Sequence, residues 1–263
     1  FRPYRVDLTP FAGVLSDGNT HTVAVSVFNA NSYFLATANL LVYQDHGSQK
    51  VTGGVLRNTL STAPSPTVTE DISAGPTYTG TVTVGSNRKF EISGYVNTSH
   101  GRVETTISQT VDFLSKQEFD VNSSTDIQNA HQSTTVDSRT LTRGGAHAGM
   151  IENHFSYPLT LDYSFIVNSD GSFSQTVTSD QKDLVRVVSN AGPGPAIVTN
   201  ESNEVHATDT LNWDTSGNFL GPSGSQTSQT YRLHTSAGRC WDRTITAAAQ
   251  KLTSVIDGPG CRD

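Results

Sequence analysis

The sequence predicts an all-β fold, an antiparallel sandwich or jelly roll, on three observations. The 263 residues include 35 Thr and 30 Ser against 5 Lys and 1 Met, a bias toward strands and turns. Residues 102–113 alternate strictly. Val103, Thr105, Ile107, Gln109, Val111 and Phe113 share one face, and Arg102, Glu104, Thr106, Ser108, Thr110 and Asp112 the other, as a half-buried strand requires. No apolar repeat at helical spacing lasts beyond a couple of turns.

The elements follow in order. Tyr4 to Tyr43 reads as strand, turn, strand: Pro10 locks a turn after Thr9, Ser16-Asp17-Gly18-Asn19 supplies another, and Val23, Val25 and Val27 alternate with Ala24 and Ser26. Ser61 to Gly80, rich in Pro, Gly, Ser and Thr, reads as a long connection between sheets or subdomains. Strands are expected at 81–84, 88–96 and 102–113, after which the polar stretch Ser115 to Asn153, with Arg143-Gly144-Gly145 inside it, breaks the rhythm. Leu159, Leu161, Tyr163, Phe165 and Val167 alternate again. Asn168-Ser169-Asp170-Gly171 then turns the chain into Phe173, Gln175 and Val177 as a hairpin. A strand at 184–189 meets the stiff loop Asn190 to Pro195. Val205, Ala207, Leu211 and Trp213 form the next, closed by Thr215-Ser216-Gly217-Asn218, and others are expected at 228–234 and 241–247.

The chain thus reads as one β-sandwich region, 1–263, with a subdivision near 61–80 and a C-terminal segment 240–261 bounded by Cys240 and Cys261. In a secreted chain these two cysteines would form a disulfide worth about 3 kcal/mol; two buried thiols are the alternative. Asn97, Asn122 and Asn200 head N-x-S/T sequons.

Charge and motifs exclude several functions. A net charge of −7 and a pI near 5.5 argue against a nucleic-acid partner. No run approaches the ~20 apolar residues of a membrane-spanning helix. Protonating all eight His would bring the formal charge to about +1, which suits an acidic, extracellular medium. The His are scattered, and His147-x6-His154 with Glu152 between is not a metal-ligand spacing. With no GxSxG and no phosphate loop, no cofactor or metal is expected.

The pattern Asp7-x-Thr9-Pro10-Phe11-x-Gly13-x-Leu15-x-Asp17-Gly18-x-x-His21, with Val27-x-Asn29 and Ala38-Asn39-Leu40, resembles the peptide N-glycosidase A family. Ser93-Gly94-Tyr95-Val96-x-x-Ser99-His100-Gly101 is similar to it too, as, more loosely, is the run Tyr157-Pro158-Leu159. The likeness is dense over roughly the first 115 residues and thin afterwards. Thr37 stands where plant members carry an Asp before the Ala-Asn-Leu triplet, which marks that Asp as inessential. The resemblance implies a secreted acidic amidase that releases intact N-glycans from glycoproteins and converts Asn to Asp. It also implies that this chain is the downstream, light-chain-like portion, packed against an upstream heavy-chain-like jelly roll from the same precursor.

Such a reaction needs a carboxylate to activate water, a group to assist the departing glycosylamine, and a donor for the oxyanion. Asp7, Glu104 and Glu118 are the catalytic candidates. Against them stand plainer roles: a turn-capping carboxylate for Asp7, and a solvated strand face for Glu104 and Glu118. His100, Tyr33 and Trp213 are the substrate-binding candidates. A loop histidine bonded to backbone, and aromatics packed at sheet ends, are their alternatives.

Overall fold

The computed structural model describes residues 5–27, 35–61, 63–73, 75–145, 148–192 and 194–258. Eleven strands run in chain order: β1 (Thr52–Asn58), β2 (Thr67–Ser73), β3 (Tyr78–Thr98), β4 (Gly101–Val121), β5 (Thr125–Arg143), β6 (Gly149–Val167), β7 (Phe173–Asn190), β8 (Ile197–Trp213), β9 (Phe219–Thr235), β10 (Cys240–Ala248) and β11 (Lys251–Asp257). They form one antiparallel sheet in which β3 to β11 are each paired with the next strand in sequence. β1 and β2 share the outer edge of β3: β2 pairs residues 79–85 and β1 residues 92–97. The all-β, antiparallel class expected from composition and alternation is the class observed.

The strands are longer than the sequence suggested. β3 and β4 have 21 residues each, roughly 70 Å if fully extended. Ser115 to Asn153, read as a polar interruption, is the end of β4, all of β5 and the start of β6. β5 carries few apolar side chains; its Thr and Ser residues are held by complete ladders to β4 and β6 on both sides. Ser61 to Gly80 likewise contains β2 and the start of β3.

The opening stretch departs most from expectation. Thr9–Phe11 is a turn of 3-10 helix and Ala12–Leu15 a short α-helix, α1, and no strand occurs in the described residues before Thr52. Pro10, with its φ already helical and no N–H to satisfy, suits the first turn. Asp7 Oδ1 accepts from the Thr9 N–H at 2.9 Å and the Thr9 hydroxyl at 2.5 Å. Gly18, at φ +91°, takes the chain out of the turn that follows.

Cross-strand register separates the sheet into two faces. One gathers Val82, Phe90 and Ile92 of β3, Ile107 and Phe113 of β4, and Phe155, Leu159 and Leu161 of β6. The other is polar and carries Glu104, Asp112, Asp137, His154 and Arg186. The helical turn lies on the apolar face over β1 and β3, where Gly94 makes room for the Pro10 carbonyl and Gly53 faces Gly13. Pro10 is fully buried there, above Ile92, Gly94, Thr105 and Ile107.

Elsewhere the apolar face is thinly covered. Among the described residues only Ile92, Ile107, Val136 and Val185 are buried aliphatic side chains. The chain exposes 17850 Å², whereas a monomer of its 28.2 kDa ordinarily exposes about 11,000 Å².

Candidate functional site

The β3–β4 hairpin ends in Thr98-Ser99-His100-Gly101. Gly101, at φ +102°, allows the reversal, and the Thr98 hydroxyl donates to the Gly101 carbonyl at 2.9 Å and accepts from the His100 N–H at 3.1 Å. This fixes the backbone that carries His100.

Asp45, from an irregular segment before β1, docks on the hairpin. Its Oδ2 accepts the Ser99 N–H at 2.6 Å, and its Oδ1 accepts the Ser99 hydroxyl at 2.6 Å and the Gly47 N–H at 3.0 Å. These bonds, the Ser99 hydroxyl first, hold the Asp45 carboxyl below its ordinary range. Ser99 Oγ also lies 3.0 Å from His100 Nδ1. The hydroxyl has one proton, and the Asp45 carboxylate takes it, so the second bond is one that Nδ1–H donates to Ser99. That leaves Nε2 of the exposed imidazole free to exchange a proton with a ligand.

Other groups converge on this corner. The Arg102 guanidinium lies 3.9 Å over the Tyr95 ring and 3.7 Å from Glu104. Tyr95, Glu104 and Arg143 are consecutive cross-strand partners on the polar face. Nearby, Asp17 pairs with His21 at 2.8 Å. Its carboxyl is lowered to about 2, first by the Asn19 N–H and then by the His21 and Asn19 side chains. Lys50 Nζ reaches the Asp17 carbonyl at 3.4 Å.

The structure thus brings His100 and Glu104 into one region and scatters the other candidates. Asp7 caps the helical turn through Thr9. Glu118 lies on the face of Glu104 but fourteen residues along β4, about 46 Å away in an extended strand, and is bonded to Lys116 at 2.5 Å. Trp213 stands at the far end of the sheet, stacked on Phe173 and tilted against Phe219 at centroid distances of 5.1 and 5.5 Å. Tyr33 lies outside the described residues. Asn97 donates to Thr52 Oγ1 at 3.1 Å. Asn122 is taken up by Ser124 and Thr125 in the β4–β5 turn, while Asn200 is exposed within β8. Cys240 is not a free thiol, and Cys261 lies outside the described residues. Among the described residues no three His, Cys, Asp or Glu side chains converge as a metal site, and no helix is long and apolar enough to cross a membrane.

Asp45-His46, beside Tyr43, is in sequence only a two-residue coincidence; Asp45 acquires a role through contact with Ser99, 54 positions later.

Residues 81–159 match the family model described as the PNGase_A C-terminal domain. This stretch is similar to the C-terminal domain of PNGase A. The matched region covers most of β3, all of β4 and β5 and part of β6, and with them Ser99, His100 and Glu104. The peptide-N4-(N-acetyl-beta-glucosaminyl)asparagine amidase A of Prunus dulcis is 25% identical over 171 residues, which are 65% of this chain and 29% of that protein. The aligned part of the chain therefore spans less than a third of that relative's length. No solved structure matches it.

Proposed function

We propose that this chain is part of a secreted amidase that hydrolyses the GlcNAc–Asn bond of N-glycopeptides, releasing the glycan and leaving Asp. The observation that carries the reading is that the family match spans the hairpin bearing Ser99 and His100. Once protonated, His100 would present its Nε2–H outward, with the Asp45 carboxylate behind it through Ser99. His100 is suited to polarise the amide carbonyl and then protonate the departing nitrogen. Glu104 stands four residues on, about 13 Å along the backbone; two side chains and a bound amide can span that gap. Water, deprotonated by Glu104, adds to the side-chain carbonyl carbon. The C–N bond then breaks and nitrogen leaves as the glycosylamine with the proton from His100.

The thinly covered apolar face is the surface on which an upstream chain of the same precursor would pack, and we assign Cys261 as the disulfide partner of Cys240. A second reading, a non-catalytic subunit that stabilises its partner, draws on the same excess of exposed surface. Mass spectrometry of a glycopeptide incubated with the two-chain enzyme separates them. If His100→Gln abolishes Asn-to-Asp conversion while assembly persists, the catalytic reading stands; unchanged conversion overturns it.

A further inference from the structure

A groove of about 600 Å³ crosses the polar face over β6 to β10, away from the β3–β4 hairpin. One row along its floor carries Arg186, Asn200 and His234, which are consecutive partners in register across β7, β8 and β9. The neighbouring row on the same face is Ser156, Leu184, Ser202, Arg232 and Asp242. Nearby charges are mostly matched: Arg232 meets Glu204 at 3.1 Å and Asp242 at 3.6 Å, and His154 meets Asp137 at 2.7 Å. Arg186, Asn200 and His234, by contrast, have no partner among the described residues. Three adjacent side chains with free donors thus line a cleft within the size range of small-ligand sites.

We propose that this groove binds an acidic sugar, with the carboxylate on Arg186 and His234. The planar guanidinium fork matches a carboxylate in two parallel hydrogen bonds, and Asn200 beside it can donate to the same group or to a ring oxygen. Ser156, Ser202 and Asp242 offer the donors and acceptor that ring hydroxyls require. The Asp242 carboxylate opposes an acidic peptide, whose successive charges would meet it as well as the arginine. The site is separate from the hairpin, and binding to it does not depend on amidase activity.

The test is calorimetric titration of the full chain with a trisaccharide bearing a single terminal hexuronate, a neutral N-acetylglucosamine trisaccharide and a glutamate-rich peptide. The expected result is saturable binding of the hexuronate above the other two, weakened about tenfold or more by Arg186→Gln and by His234→Gln. Arg139→Gln, on the same face but outside the groove, should leave it unchanged. Absence of binding, equal binding of the neutral sugar, preference for the peptide, or indifference to Arg186→Gln would each overturn the proposal. Loss of amidase activity with hexuronate binding intact would count against the proposed function alone.

Discussion

The corner of the sheet beneath the helical turn and the broad sheet from β5 to β11 use the same strand chemistry with opposite outcomes. In the corner, Gly53 and Gly94 let the helical turn approach the sheet backbone, and Pro10, Ile92, Thr105 and Ile107 are buried together. Across the rest, an equally apolar face is mostly half-exposed: Trp241 retains 47% of its surface and Phe219 57%. A sheet needs a second layer to bury its apolar face. Among the described residues such a layer lies only over the first strands, and there the fixed hairpin of His100 is found.

Gly94→Val should have the largest effect. Its side chain would occupy the place of the Pro10 carbonyl, costing about 3 kcal/mol and lifting the helical turn off the sheet. Hydrogen exchange should show lost protection in residues 92–107 with β7 to β10 unaffected; uniform loss would mean that the two regions are one cooperative unit. Paired truncations sharpen the comparison. Ile107→Ala, at a site only 7% exposed, should cost about 3 kcal/mol, and Leu159→Ala, half-buried on the open face, about 1 kcal/mol. Equal losses would show that the open face is covered in solution. On the functional side, His100→Gln in the two-chain enzyme should lower kcat/KM about 100-fold and Ser99→Ala about tenfold, both without loss of thermal stability.

The contrast also shows which parts of the fold were legible. Alternation in 102–113 and the Asp170-Gly171 hairpin announced β4 and the β6–β7 pair because each strand carries its own amphipathic signal. β5 did not, since its Thr, Ser and Gln side chains become strand through neighbours on both sides rather than through a pattern of their own. Val23, Val25 and Val27 differ in the other direction: they alternate like a strand, yet among the described residues they belong to none. For the site, His100 was visible beside Ser99, whereas Asp45 became part of it only through a contact between distant segments, which no local pattern encodes.

A smaller effect is expected from pH at the corner. The Asp17 carboxyl, held at about 2 by Asn19 and His21, binds its proton less readily in the folded chain than in the unfolded one. Its contribution is complete above pH ~4 and lost as pH falls toward 2. Protection of residues 12–21 should decline over that window, and Asp17→Asn should remove the dependence. A decline beginning above pH 5 would overturn the assignment to Asp17.

The smallest effect is predicted for Glu118→Gln, and it bears on the chemistry assigned to β4. Glu118 and Lys116 are both well exposed, and their ion pair holds the Glu118 carboxyl below its usual range. Exposed pairs contribute little because water screens them and ordering two long side chains costs entropy. Stability should therefore change by less than about 0.5 kcal/mol and amidase turnover not at all, since roughly 46 Å of strand separates Glu118 from Glu104. Glu104→Gln, in contrast, should suppress turnover while leaving stability intact. Were Glu118→Gln the variant that lost turnover, the reacting centre would have to move from the packed corner to the open sheet, and the packing of the helical turn over β3 would bear on stability alone.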